Sequence, residues 1–230
     1  MSASLTIQRA AADSVILYFG TTIDPETHAR VMDCLDRLQA RIGHGIVSLL
    51  PSYASLLVQY DPLHWDENTA QLLLEATCRE PGTLLADVLS PTLTLPVWYD
   101  PSVGWDIERI AQRNGMSDAE VIARHAAGEY RVYAIGFQPG FGYMGRVDAA
   151  IATPRLATPR TTIPAGSVAL ADDQTAVYPS ASPGGWNILG RTPLRLFDPY
   201  REPAALLSVG MRVRFEPIDR ARYLELGGTL

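Results

Sequence analysis

The amino-acid sequence predicts an α+β chain in two parts: a small ferredoxin-like α/β domain over residues 1–88, then a β-barrel domain over residues 89–230. Three observations carry this. The first half orders its segments strand–helix–strand–strand–helix, which suits a small sheet covered on one face by two helices. The second half shows short apolar runs separated by turn residues, with two helices ahead of them, a spacing that suggests an all-β barrel. Between the halves, Pro and Gly cluster near residues 82–92.

In order, residues 13–20 (DSVILYFG) form a short run rich in β-branched and aromatic side chains, read as a buried strand. Asp24-Pro25-Glu26 then starts a helix: Asp as N-cap, Pro at the first helical position, Glu near the positive end of the dipole. Val31, Leu35, Leu38 and Ile42 follow at helical spacing, and Gly43 or Gly45 is expected to end the helix. Residues 46–50 and 55–60 read as two further strands. Asp66 can cap a second helix through Arg79, carrying Leu72, Leu73 and Ala76, with Pro81-Gly82 closing it. Thr92 to Tyr99 is a strand that could finish the first sheet or open the barrel.

Asp106 to Asn114 is a short helix with Gly115 as a left-handed cap, and Ser117-Asp118-Ala119-Glu120 is a capping box for the next helix, which stops at Gly128. Residues 130–137 (YRVYAIGF) alternate. Further strand candidates are Ser167–Ala171, Thr175–Tyr178, Asn187–Leu189, Leu194–Phe197 and Met211–Phe215. The segment after Pro217 reads as peripheral.

Residues 136–191 are dense in glycine, proline and aromatic residues, a composition kept where backbone shape forms a site or an interface. Within them Gly140, Gly142 and Gly145 match G-x-G-x-x-G after a strand. No long helix can follow before Pro154 and no acidic residue lies about 20 positions on, so a dinucleotide site is rejected. Phe141 and Tyr143 read instead as walls of a closely approached loop. Thr153-Pro154-Arg155 recurs as Thr158-Pro159-Arg160. Proline stiffens this segment and guanidinium forks suit carboxylate or phosphate, so these arginines either recognise an anion or form structural ion pairs across a loop. Gln174 and Tyr178 share one strand face. Asp172-Asp173 reads as a hairpin turn. Trp186, after Pro183-Gly184-Gly185, either roofs a pocket or plugs the core, and Arg191 is a further candidate anion contact.

Composition prunes the chemistry. All 19 basic residues are arginine. Without a lysine the chain cannot alone supply a Walker A loop, a Schiff base, a kinase site or a biotin carrier. A net charge of −6 argues against nucleic acid as the main partner. No apolar run approaches the roughly 20 residues of a membrane span, and no secretory signal is evident at the N-terminus. Cys34 and Cys78 fall in expected helices and read as reduced core thiols of a cytoplasmic protein. His28, His44, His64 and His125 are scattered, without metal-ligand spacing, and read as surface or helix-end residues. No metal site is expected, and no nucleophile elbow exists.

The runs GFQPGFGYMG, TPRLATPRTTIPAGSVALADDQTAVYP and SPGGWNILGRTPLRLFDP, with VILYFG, PSYASLLVQYDP and GWDIERIAQRNGMSDAEVIARH upstream, resemble the 5-oxoprolinase B-subunit family. Its relatives include Kip-type sporulation-kinase inhibitors and allophanate hydrolase subunit 1. The chain departs from the usual pattern at His28, at Phe141-Gly142-Tyr143-Met144 and at Arg146. The resemblance implies a cyclophilin-like barrel and a role, with subunits C and A, in ATP-dependent hydrolysis of 5-oxo-L-proline to L-glutamate. It also leaves an alternative, inhibition of a sensor histidine kinase. ATP would be used by the assembled complex, since this chain has no Walker loop. On this reading Arg155, Arg160 and Gln174 are the catalytic candidates, and Phe141, Tyr143, Tyr178, Trp186 and Arg191 the substrate-binding candidates.

Overall fold

A computed structural model describes residues 5–79 and 92–230, and the chain divides into two units, Met1–Ser90 and Pro91–Leu230. The first unit begins with β1 (Thr6–Ala11) and β2 (Ser14–Tyr18), followed by α1 (Pro25–Gln39), β3 (Ile46–Pro51), β4 (Ser55–Tyr60) and α2 (Glu67–Arg79). The sheet order is β1-β2-β4-β3, antiparallel throughout. The expected strand–helix–strand–strand–helix order is therefore present. The edge beside β2 is filled by β1, which sequence reading missed because QRAA carries no apolar alternation. Thr92 to Trp98 belongs to the second unit, which settles the open assignment of that strand.

Asp24 caps α1: its carboxylate accepts from the Thr27 amide at 2.8 Å, and this bond, first among its contacts, holds the Asp24 pKa below the ordinary carboxylate value. Val31, Cys34 and Leu38 line the buried face of α1. The helix ends at Ala40, before the glycines expected to stop it, and Ile42 is exposed beyond it. Asp66 caps α2 through the Thr69 amide at 2.7 Å, and Ala70, Leu74 and Cys78 form its inner face, while Leu72 points outward. Pro81-Gly82 lies outside the described residues.

The cysteines correct the sequence reading. α1 and α2 lie side by side, and Cys34 and Cys78, 5.6 Å apart at Cα, are joined in a disulfide rather than kept as separate thiols. With the two cysteines 44 positions apart in sequence, no local pattern announced the pairing.

The second unit runs β5 (Thr92–Trp98), α3 (Ile107–Asn114), α4 (Asp118–Ala127), β6 (Glu129–Ile135), β7 (Gly142–Gly145), β8 (Arg160–Ile163), β9 (Ser167–Ala171), β10 (Gln174–Val177), β11 (Ser182–Gly184), β12 (Asn187–Arg191), β13 (Arg212–Ile218) and α5 (Arg220–Glu225). Among the described residues, seven of these strands close a barrel in the order β10-β7-β6-β13-β5-β12-β9, and β8 and β11 form a separate two-stranded sheet. Closure depends on β13 lying parallel to β5 in register from Arg212 opposite Thr92 to Ile218 opposite Trp98. A closed barrel leaves no strand edge among its members.

Gly115 is left-handed as expected, with φ 67° and ψ 36°. Ser117 accepts from the Glu120 amide, but the Glu120 carboxylate binds Arg124 instead of returning to the cap, so half of the capping box forms. Asp172-Asp173 makes the β9–β10 turn, with Asp172 at φ 54°. Leu194 to Phe197 is not a strand; Phe197 makes one bridge to Ala205. α5 is not peripheral: Tyr223 is buried against Trp98, ring centroids 5.4 Å apart.

His28 and His125 lie in helix end turns, as one of the expected readings has it, but are fully buried rather than at the surface, whereas His44 and His64 are exposed. His125 packs against the Tyr130 and Phe215 rings, which also touch each other. The Thr175 hydroxyl gives its proton to Ala169 O at 3.0 Å, so its oxygen accepts from His125 Nε2 at 2.9 Å. The neutral ring then accepts at Nδ1 from the Tyr99 hydroxyl at 2.8 Å. Burial pushes the His125 pKa down to about 3.

Candidate functional site

β12, β9, β10 and β7 are neighbours in the barrel wall, and their side chains alternate between two faces. Met144, Val168, Leu170, Val177 and Leu189 point into the main core. Ala169, Ala171, Ala176 and Ile188 belong to a second cluster on the other face, with Ile163, Phe141, Tyr178 and Trp186. Small alanines on that face leave room for rings to lie against the wall. The rings meet edge to face, the preferred geometry for aromatic quadrupoles: Phe141 and Tyr178 at 5.3 Å and 79°, Phe141 and Trp186 at 5.9 Å and 89°, Phe141 and Tyr143 at 4.9 Å and 64°. Gly184 is required here, since a Cβ would lie 2.3 Å from the Tyr178 hydroxyl.

Trp186 is buried and fills this cluster, which decides the question left open for it. Arg155 is exposed, and its guanidinium carbon stands 5.5 Å from the Trp186 ring centroid. Among the described residues no carboxylate pairs with it. Burial raises the Tyr178 pKa, and the positive charges of Arg155 and Arg160 partly offset that. A cation on an aromatic wall suits a ligand with a carboxylate and a flat body.

Arg160 is committed elsewhere. Its two terminal nitrogens donate to the two oxygens of Asp106 at 2.8 and 2.9 Å, and it covers Trp105 at 5.2 Å. Asp106 is buried and also accepts from the Ile188 amide at 2.7 Å, tying α3 to β8 and β12. Of the two readings held open for these arginines, Arg160 takes the structural ion pair. Gln174 begins β10 opposite Ala171 and Gly145. Arg191 is not in the aromatic cluster. It ends β12 opposite Ser167 and donates to Thr229 O at 3.3 Å, beside a separate cavity.

Sequence reading missed Asn187 altogether. Its buried amide donates to Pro154 O at 3.1 Å and Leu170 O at 3.0 Å and accepts from Arg109, so it fixes the start of the segment that presents Arg155. Phe137 was missed too: it is exposed, at φ 66°, and meets Phe141 edge-on. A single asparagine at the start of a strand, or a phenylalanine in a loop, gives no local sign of either role. Gly142–Gly145 is a strand and opens no helix, in keeping with the rejected dinucleotide motif. Among the described residues, no group of three His, Cys, Asp or Glu side chains could hold a metal, and no helix is long and apolar enough to cross a membrane.

The geometry is that of a closed barrel carrying an aromatic cluster on its wall with an exposed guanidinium beside it. The family described as carboxyltransferase domain, subdomain C and D, matches residues 5–207. The B subunit of 5-oxoprolinase from Bacillus subtilis (strain 168) is 34% identical over 97% of this chain and 97% of its own length. The crystal structure of TTHA0988 superposes with a TM-score of 0.79 at 35% identity, over 90% of this chain, which spans only 40% of that longer one. Kluyveromyces lactis urea carboxylase, at 19% identity and TM-score 0.76 over 96% of this chain and 22% of its own, shares the fold. The chain belongs to the 5-oxoprolinase B-subunit family of carboxyltransferase C and D domains.

Proposed function

We propose that this chain is the B component of a multi-subunit 5-oxoprolinase that hydrolyses 5-oxo-L-proline to L-glutamate in an ATP-dependent reaction, active only with subunits C and A. The observation that carries the reading is the end-to-end match to the B. subtilis protein, 97% of both chains at 34% identity. A five-membered lactam is a resonance-stabilised amide, and ATP would supply a phosphoryl group to turn its oxygen into a leaving group.

This chain's part is binding and orientation. Arg155 would hold the substrate carboxylate with charge-assisted bonds, and Tyr143 would wall the ring, backed by the buried Trp186. Gln174, at the start of β10, is proposed to hydrogen-bond near the reacting amide. Arg160 supports the site through Asp106 and is not proposed to touch substrate. The chain lacks lysine and no helix follows its glycine run, so the ATP site is assigned to the assembly. A cytoplasmic setting, where ATP is available, is part of the same proposal. Reconstitution tests it: 5-oxo-L-proline turnover should need this chain together with subunits C and A.

A further inference from the structure

α3 grips the Thr153–Arg160 segment at three points. We propose that its Arg109 is a positioning residue, which through the Asn187 amide sets where the backbone presents Arg155. The functional side of this inference rests on the reading of Arg155 as the contact for the substrate carboxylate.

The helix is itself fixed on the barrel wall. A Cβ at Gly104 would lie 2.3 Å from Leu189 O, so the chain entering α3 runs directly against β12. The Asp106 amide donates to Ile188 O at 3.0 Å, and Ile107, Ile110 and Ala111 are buried beneath the helix. Asp106 stands at the N-cap, yet its carboxylate makes no cap bond and accepts instead from the Arg160 guanidinium and the Ile188 amide. At the other end of α3, Asn114 Nδ2 donates to Thr153 Oγ1 at 3.2 Å and to Ile110 O at 2.9 Å. One end of the helix thus holds Arg160 and the other holds Thr153.

Arg109 acts between these two grips. Its half-buried guanidinium donates to Asn187 Oδ1, and among the described residues no carboxylate pairs with it. That bond orients the amide, because an oxygen engaged by a guanidinium leaves the NH2 group to face acceptors. Asn187 Nδ2 donates to Leu170 O on the barrel wall at 3.0 Å and to Pro154 O, the carbonyl just before Arg155, at 3.1 Å. Just after Arg155, the Leu156 amide donates to Gly185 O at 2.7 Å, and Thr153 exchanges backbone bonds with Asp172 at 3.2 and 2.8 Å. Pro154 adds a fixed φ, so the chain on both sides of Arg155 is held. Without the guanidinium a buried acceptor on Asn187 loses its donor, and the hold on Pro154 loosens with it. Small displacements of a binding group have large effects on rate, which gives a residue that never touches substrate a measurable part in turnover.

Two measurements test this. Amide hydrogen exchange of the full chain reads the backbone without substrate. Arg109→Met should speed exchange at Leu156 and Asp172 about tenfold, with the amides of β13 unchanged, and Arg109→Lys, which keeps a donor for Asn187, should restore most of the protection. In the reconstituted enzyme, Arg109→Met should raise KM for 5-oxo-L-proline about tenfold with kcat held within about twofold. On an Arg155→Ala background the same substitution should change KM less than about twofold, since its effect passes through Arg155. Unchanged exchange at Leu156 and Asp172 in folded Arg109→Met, equal speeding of the β13 amides, or the same KM effect with and without Arg155 would each overturn the proposal. An Arg155→Ala enzyme with unaltered KM would instead overturn the role given to Arg155, and the exchange data would still decide whether Arg109 positions it.

Discussion

Arg155 and Arg160 occupy equivalent places in a repeated Thr-Pro-Arg, yet their surroundings give them opposite roles. Arg160→Ala would leave the buried Asp106 carboxylate without its bidentate partner, and breaking such a pair costs about 3 kcal/mol, near the low end because Arg160 keeps some exposure. Arg155→Ala removes only an exposed contact with Trp186, worth about 0.5–1 kcal/mol. Denaturant unfolding should therefore show a large loss for Arg160→Ala and little for Arg155→Ala. Turnover by the assembled enzyme should fall about tenfold or more for folded Arg155→Ala. Equal stability losses in the two variants would contradict this division.

His125 supplies a second prediction at the same scale. Its folded pKa of about 3 lies below the ordinary 6.5, so below pH 6.5 the unfolded chain takes up a proton that the folded chain refuses. The stability it contributes is present above pH 6.5 and is lost as pH falls toward 3, by about 1.4 kcal/mol per pH unit. Urea unfolding at pH 7 and pH 5 should differ by about 2 kcal/mol from this source, and His125→Gln should flatten the slope. The sequence shows a histidine near a helix end; its burial depends on Phe215 and Thr175, far along the chain. Local signals could not place it.

Elements whose cause is local were legible. Asp24, Asp66, Ser117 and Gly115 announce helix ends because capping is chemistry between residues a few positions apart. β9 and the Asp172-Asp173 turn were equally plain. β7, β8 and β11 were not, since each is short and rich in Gly, Pro or polar residues, and is a strand only because of its partner. The two helices were expected on one face of the sheet, but the apposition of Cys34 and Cys78 across them, and so their bond, was hidden. A cross-link closing a loop of this length contributes about 2–4 kcal/mol. Thiol titration of the chain, denatured without reductant, should find no free thiol, and Cys34→Ser with Cys78→Ser should lower the unfolding free energy by that amount. Two reactive thiols in the untreated chain would restore the reading as reduced cysteines.

For the molecule as a whole, the two-part α+β plan followed from segment order, while barrel closure did not. β5 and β13 lie more than a hundred residues apart and pair in parallel, a contact no periodicity specifies. The candidate site was legible to a similar degree. Its aromatic and glycine-rich composition marked residues 136–191, but which arginine faces outward depended on contacts with Asp106 and Asn187 that are distant in sequence. The resemblance in that stretch was enough to name the family, and the full-length match to the B. subtilis protein agrees with it.

The most direct measurement is subunit omission. Subunits C and A with ATP and 5-oxo-L-proline are assayed for L-glutamate with this chain present and absent. Turnover is expected only with all three chains and none from this chain alone; equal glutamate production in its absence would contradict the proposed role.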